Sequence, residues 1–400
     1  MLIQLNKKTA ENINGFALFN LGFRPFFLGA SIFAILTILL WMLVYFSQIN
    51  FNIDNISPSQ WHAHEMLYGY GLAVVAGFLL TAVKNWTGVA TAHGKTLIVL
   101  FSLWVIARVL FLFGTTFLVL AALADMAFGL MLIGTISLPI IKAKQWKQIA
   151  VVSKVLLFVA GNLVFFLGYF GILENGILYA INGALLLLVS LILMIGRRVI
   201  PFFIERGTDK KIVLKQYKWL DISILLVFVA LFINAIFIQA ANYTVLFAWT
   251  LFMLNGYRLI NWHTPGLWRV PLLWSLYLSA WFINFGFLFY GFQVSATNMS
   301  IFTLHVFAIG GIGLITIAMM ARVALGHTGR DIRKPSSWVS LAFVCVIVSM
   351  VCRVLLPMMN IALYPVWVLS SAVFWIIGFA IFASIYIPIL IKPRIDGLHG

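Results

Sequence analysis

Long apolar runs alternate with short polar connections along the whole chain. The runs lie near residues 26–48, 64–83, 96–113, 117–139, 149–171, 177–203, 219–239, 244–260, 271–290, 300–324, 339–356 and 362–391. Each approaches or exceeds the ~20 residues that carry a helix across a hydrocarbon layer of ~30 Å. Two pairs of runs, around Gly114–Thr116 and Ala240–Tyr243, are joined by very short turns. The pattern predicts an all-α, polytopic membrane protein of about twelve transmembrane helices. It forms a single transmembrane domain over residues 1–400, with no soluble domain or sequence repeat.

Charge placement supports the same count. Of 26 Lys and Arg residues, all but Arg108 and Arg353 fall in the terminal segments or the even-numbered connections, or just inside a span beside them. The longest connection, 204–218, alone carries Arg206, Lys210, Lys211, Lys215 and Lys218. A miscounted span would scramble this alternation. By the positive-inside rule both termini are cytoplasmic. A net charge of +16 suggests nucleic acid, but basic residues scattered over short loops form no binding face, so no nucleic-acid partner is expected. With 63% hydrophobic and 9% charged residues, the partner is the lipid bilayer. Lys7 and Lys8 precede a first run that lacks a small-residue cleavage site, so that run is expected to stay as a span. Cys345 and Cys352 lie about 10 Å apart along one helix, too far for a disulfide, and read as packing residues.

The two stray arginines sit at the depth of a polar group near the outer face. Ser57-Pro58-Ser59-Gln60 reads as a helix start, with Ser57 as cap, Pro58 at the first position and Gln60 reaching back. Within that helix His62 and His64 point about 200° apart. His62 then shares a face with Glu65, and His64 with Tyr68. A later helix start would instead let the two histidines converge. His305 enters span ten at the same depth, ahead of Gly310, Gly311 and Gly313, and span two carries Gly69, Gly71 and Gly77. Such glycines admit a close neighbour, either another helix or a flat cofactor. Imidazole ligates haem iron and copper well, and opposed histidines on two glycine-backed helices suit a haem between them. Arg353 and Arg108 can hold haem propionates. For Arg108 an ion pair with Asp125 on the adjacent span is an equal alternative, and Arg353 can also snorkel outward.

A second polar group lies at the basic end. His327 is 22 residues from His305, roughly 33 Å along a helix, so the two cannot share a centre. With Arg198, Arg322, Arg330 and His263 it suits a loop network anchoring helix ends, and less directly a second metal or an anion. His93 and His399 read as solvated.

Several of these segments resemble the NnrS family of bacterial inner-membrane proteins. The matching pieces are Phe23-Arg24-Pro25-Phe26-Phe27, Trp61-His62-Ala63-His64-Glu65-Met66, Gly196 through Phe203, Pro271-Leu272-Leu273-Trp274, and His305 onward to Gly326-His327-Thr328-Gly329-Arg330. The resemblance implies a multi-pass inner-membrane protein containing haem and copper. It also implies a role in nitric oxide metabolism or nitrosative stress, with nitric oxide or another small gas as ligand and an unspecified electron donor. Family motif positions correspond to His62, His64, Glu65, His305, His327, Arg198 and Arg330. Tyr277 departs from the pattern, where a histidine is common. By layout the chain is also similar to the catalytic subunit of haem–copper oxidases, with His64, His305 and Arg353 at the haem positions. Spans six and seven hold no histidine for copper, so no oxidase activity follows.

The resulting expectation is a b-type haem, since Cys-x-x-Cys-His is absent. His64 and His305 would be its ligands and Arg353 and Arg108 its propionate partners. His62 and Glu65 are the copper candidates. The alternatives are a haem or copper carrier, and an ion-coupled transporter using Asp125, Glu65 and Arg108.

Overall fold

The capping signal at Ser57 translates directly into structure. In the computed structural model, which describes residues 15–49, 53–208, 212–292, 299–398 and 400, Ser57 Oγ accepts from the Gln60 amide at 3.2 Å. Gln60 Oε1 accepts in turn from the Ser57 amide at 2.8 Å. Pro58 begins the helix, so His62 and His64 are both helical and the later start is ruled out. Lys7, Lys8, Lys210, Lys211 and His399 lie outside the described residues.

Twelve long helices run back and forth among the described residues. They are α1 (Phe23–Tyr45), α2 (Pro58–Thr87), α3 (Gly94–Phe111), α4 (Thr115–Lys142), α5 (Trp146–Tyr169) and α6 (Gly176–Gly207). The second half comprises α7 (Lys218–Ile238), α8 (Ala241–Trp262), α9 (Pro271–Phe292), α10 (Ser300–His327), α11 (Trp338–Met359) and α12 (Ile361–Ile391). Eleven are long and apolar enough to cross a membrane. The exception is α8, whose 22 residues still span about 33 Å. Asn242, Asn255, Arg258 and Asn261 dilute its apolar character. It packs between α7 and α9, so the back-and-forth order holds.

The most enclosed helices are α2, α6 and α10. Around them, Leu123, Leu130, Leu226 and Met253 face outward, the arrangement a lipid solvent requires. The glycines of α2 and α10 admit protein rather than open space. A Cβ on Gly77 would strike Phe27, one on Gly310 would strike Phe282, and one on Gly313 would strike Trp375.

Both ends of the described chain meet at one end of the bundle. The Ala17 amide donates to Ile391 O at 2.9 Å. Arg24, fully buried, donates to the carbonyls of Leu390, Lys392 and Gly400 at 2.7–2.8 Å.

Among the described residues, four stretches widen into π-helical turns: Glu65–Gly71 in α2, Asn234–Ile238 in α7, Val306–Gly313 in α10 and Val351–Leu355 in α11. Such a turn carries an extra residue and frees carbonyls for other partners. In α2, the Gly69 carbonyl accepts from Trp104 Nε1 at 3.0 Å. Tyr70 reaches across to Thr316 of α10, with oxygens 2.7 Å apart.

Candidate functional site

Toward the end of the bundle opposite the termini, α1, α2, α10, α11 and α12 surround a cavity of about 390 Å³. Its polar lining includes His62 of α2, His305 of α10, Arg353 of α11 and Tyr364 of α12, set among Trp41, Met66 and Trp375. Cofactor and small-molecule pockets share this character, with apolar walls and a few convergent polar groups.

The polar groups differ in how firmly they are held. His305 Nδ1 donates to Ile301 O, one turn back, at 2.7 Å. That bond fixes the ring and leaves Nε2 without a hydrogen-bond partner among the described residues. The His62 ring stacks on Trp41, centroids 4.7 Å apart and 15° from parallel, and its buried Nδ1 has no hydrogen-bond partner among the described residues. Arg353 Nη1 donates to the Tyr364 hydroxyl at 2.7 Å, with its guanidinium 5.1 Å from the ring centre. Among the described residues no carboxylate pairs with Arg353. A guanidinium without a counter-ion beside a cavity is a receptor for an acidic group.

The opposite face of α2 is closed. There His64 is fully buried, wrapped by the rings of Phe111, Phe165, Phe166 and Tyr68 at 4.3–5.6 Å. Its Nδ1 lies 2.9 Å from Glu65 Oε1, and its Nε2 lies 2.9 Å from Asn162 Oδ1 of α5. Asn162 Nδ2 donates to Asp125 Oδ2 of α4 at 2.9 Å. Arg108 of α3 joins both carboxylates, Nη1 to Glu65 Oε1 and Nη2 to Asp125 Oδ2, the latter at 2.6 Å. Five side chains from four helices are thus joined, while Asp125 Oδ1 and Arg108 Nε have no hydrogen-bond partner among the described residues.

This geometry redistributes the residues singled out in the sequence. His62 and His64 face opposite ways, as helical spacing requires. His305 comes to the cavity with His62 and Arg353, while His64 does not, because both its ring nitrogens are engaged on the far side. Arg108 also stays away from the cavity, held in the alternative ion pair with Asp125 and additionally by Glu65. Glu65 turns to His64 and Arg108 rather than to His62, because a buried carboxylate goes where its counter-ion is and the π-turn begins at that residue. His62 and Glu65 therefore do not converge. Among the described residues no three His, Cys, Asp or Glu side chains are grouped to hold a metal ion.

His327 lies at the far end of α10, where helix ends are tied together. Its carbonyl accepts from Arg394 at 3.1 Å, and its ring is 5.8 Å from Phe23. Nearby, Asp221 pairs with Arg197 at 2.7 Å and Arg258 at 2.5 Å, and Arg322 lies 3.7 Å over Phe203. Among the described residues, Arg198 donates to Gln148 Oε1 at 3.5 Å, and Arg330 to the Thr328 carbonyl, also at 3.5 Å. Tyr277 donates to Leu259 O at 3.0 Å, a helix-to-helix tie. Beyond the last helix, the hydrogen-bonded Arg394 guanidinium holds the Asp396 carboxyl down at about 2.

Sequence reasoning passed over Asn162, Trp41 and Tyr364. Asn162 was the most findable, a lone amide inside an apolar run. Trp41 and Tyr364 sit among 14 Trp and 12 Tyr with nothing in their spacing to mark them.

No curated protein matches the chain. The family model described as NnrS protein matches residues 17–394, nearly the whole length, and the chain belongs to the NnrS family.

Proposed function

We propose that this is a haem-binding membrane protein acting in nitric oxide metabolism or resistance to nitrosative stress, with the haem in the His305 cavity. Family membership supports a nitric-oxide-related membrane protein. The observation that carries the haem is the pairing, at one cavity, of a tethered imidazole with a free ring nitrogen and an arginine lacking a carboxylate. A backbone bond at Nδ1 is the usual means of orienting a ligating histidine. His305 is the proposed iron ligand, and Arg353 with the Tyr364 hydroxyl would receive a propionate.

Haem bound here would supply an iron that takes a small gas or passes electrons. Around it the chain supplies the shaping: Ile301 fixes the His305 ring, and apolar walls including Met66 and Trp375 exclude water. His62, stacked on Trp41 without an anchoring hydrogen bond, is a polar group available to a ligand on the cavity side of α2. His62 and Glu65 lie on different faces of α2, so that pair does not fit copper. The excess of Lys and Arg at the end holding the termini supports an orientation with that end in the cytoplasm of a bacterial inner membrane.

The deciding experiment is a dithionite-reduced minus oxidised spectrum of the purified protein, with iron quantified on the same sample. Near-stoichiometric iron with sharp reduced bands is expected, and His305→Ala should lose most of it. Normal haem in that variant overturns the ligand assignment. Colourless, iron-free protein from haem-sufficient cells overturns the reading. Nitric oxide consumption with a reductant then separates turnover from mere carriage.

A further inference from the structure

Behind the His305 cavity, toward the end of the bundle that holds the termini, lies a second and smaller volume. It measures about 80 Å³ and sits between α1, α2, α6 and α10. Three of these helices line both volumes at matched positions. Leu67, Leu185 and Ile309 line the larger one, and Val74, Ile192 and Thr316, each seven residues further along its helix, line the smaller. Seven residues are two helical turns, so the two volumes follow one another through the bundle about 10 Å apart.

The smaller cavity offers almost nothing to water. Thr316 alone among its lining residues has a polar side chain. Its hydroxyl donates to Ile312 O at 2.7 Å and so accepts from the Tyr70 hydroxyl, also 2.7 Å away. A buried water needs two to four polar partners, and an apolar cavity without them stays dry. Ions and strongly polar molecules are excluded on the same ground. Size narrows the choice further. The volume is about half that of an apolar cavity of ~150 Å³ that takes benzene or xenon, so a flat cofactor is too large, whereas a diatomic molecule or a xenon atom fits.

One side chain touches the linings of both volumes. Tyr70 of α2 is buried, and its hydroxyl meets Thr316 of the smaller cavity. Its ring meets Trp375 of the larger cavity edge-on, with centroids 6.2 Å apart, and Phe379 backs it at 5.7 Å. On the other side, Phe78, Ile195 and Val199 are partly exposed at the rim of the smaller cavity, which thereby reaches the flank of the bundle.

We infer that the smaller cavity is a binding site for a small uncharged gas molecule, entered from the flank of the bundle, with Tyr70 as the partition between it and the His305 cavity. Moving such a molecule from water into a dry apolar volume is favourable and asks for no hydrogen bond. Nitric oxide belongs to that class. Its assignment as the natural occupant rests on the function proposed above, whereas the site itself stands whether or not the larger cavity binds haem.

The test is a crystal structure of the full chain under xenon pressure, with xenon as the probe because its anomalous scattering locates it without any haem chemistry. A xenon peak among Val74, Leu191 and Ile315 is expected in the wild type. It should vanish in Val74→Phe, which fills the volume, while xenon elsewhere stays in place. In Tyr70→Ala, or in Tyr70→Leu should the first not fold, a further peak is expected where the ring stood. A wild-type cavity free of xenon, or one filled by ordered water or a lipid chain, overturns the site, as does a peak that survives Val74→Phe. A xenon pattern unchanged by loss of the Tyr70 ring overturns the partition. Haem content does not enter the readout, so an empty cavity sinks the gas site and leaves the haem reading to its own experiment.

Discussion

The two faces of α2 carry histidines two residues apart in opposite states of completion. On one, His62 and the facing His305 and Arg353 keep bonding capacity that no group among the described residues uses. On the other, His64, Glu65, Arg108, Asp125 and Asn162 are bound to one another. Residue type does not separate the two groups, since each contains histidine and arginine at similar depth. What separates them is whether the arginine finds its counter-ions within the protein, as Arg108 does in Glu65 and Asp125. An open set beside a volume is equipped to receive something, whereas a closed set is committed to fold and charge balance.

Substitutions can break this contrast. The largest effect is expected at Arg108. Arg108→Leu strands two buried carboxylates and should cost about 3–5 kcal/mol, read as a large drop in thermal midpoint in detergent. Asn162→Leu comes next, removing hydrogen bonds to ionic partners at about 1.5–3 kcal/mol each in the same measurement. On the open face the pattern should invert. Arg353→Gln should leave the midpoint nearly unchanged while weakening haem retention about tenfold or more, the equivalent of one charge-assisted bond of about 1.5–3 kcal/mol. A collapse of stability in Arg353→Gln, or none in Arg108→Leu, would erase the distinction. The smallest effect lies outside both faces. The Asp396 carboxyl should titrate at about 2 and return toward 3.8 in Arg394→Gln, followed by its NMR shift against pH. Its pairing contributes above the ordinary carboxylate range and is lost as pH falls toward 2, with no change expected near neutrality.

Much of this was legible in the chain itself. The alternation of basic and neutral connections gave twelve passes, because short loops must each end on one side, and α8 kept its place despite a diluted apolar run. The Ser57 cap pointed to the helix start, but a later start stayed open until the structure showed Pro58 as the first helical residue, and with it the opposed directions of His62 and His64. The reach of Asp125 to Arg108 followed from two adjacent antiparallel spans. Helical spacing could say which residues share a face, but not which neighbour lies on that face. His64 was therefore set opposite His305, when a wall of α5 residues faces it instead. Glu65 was set with His62 on α-helical spacing, just where that spacing gives way to a wider turn.

Those wider turns make the direction of His305 depend on helix pitch as well as on side-chain identity. Val306–Gly313 accommodates one residue more than a regular helix would. Drawn at ordinary pitch with its full length, α10 would turn His305 by about 100° relative to the anchored His327 end, whereas losing one residue together with the wide turn would leave His305 facing as it does. In a family tree such a turn would be gained or lost by a one-residue insertion or deletion without moving the site, so equivalent histidines would stand at different spacings from the far end of the helix.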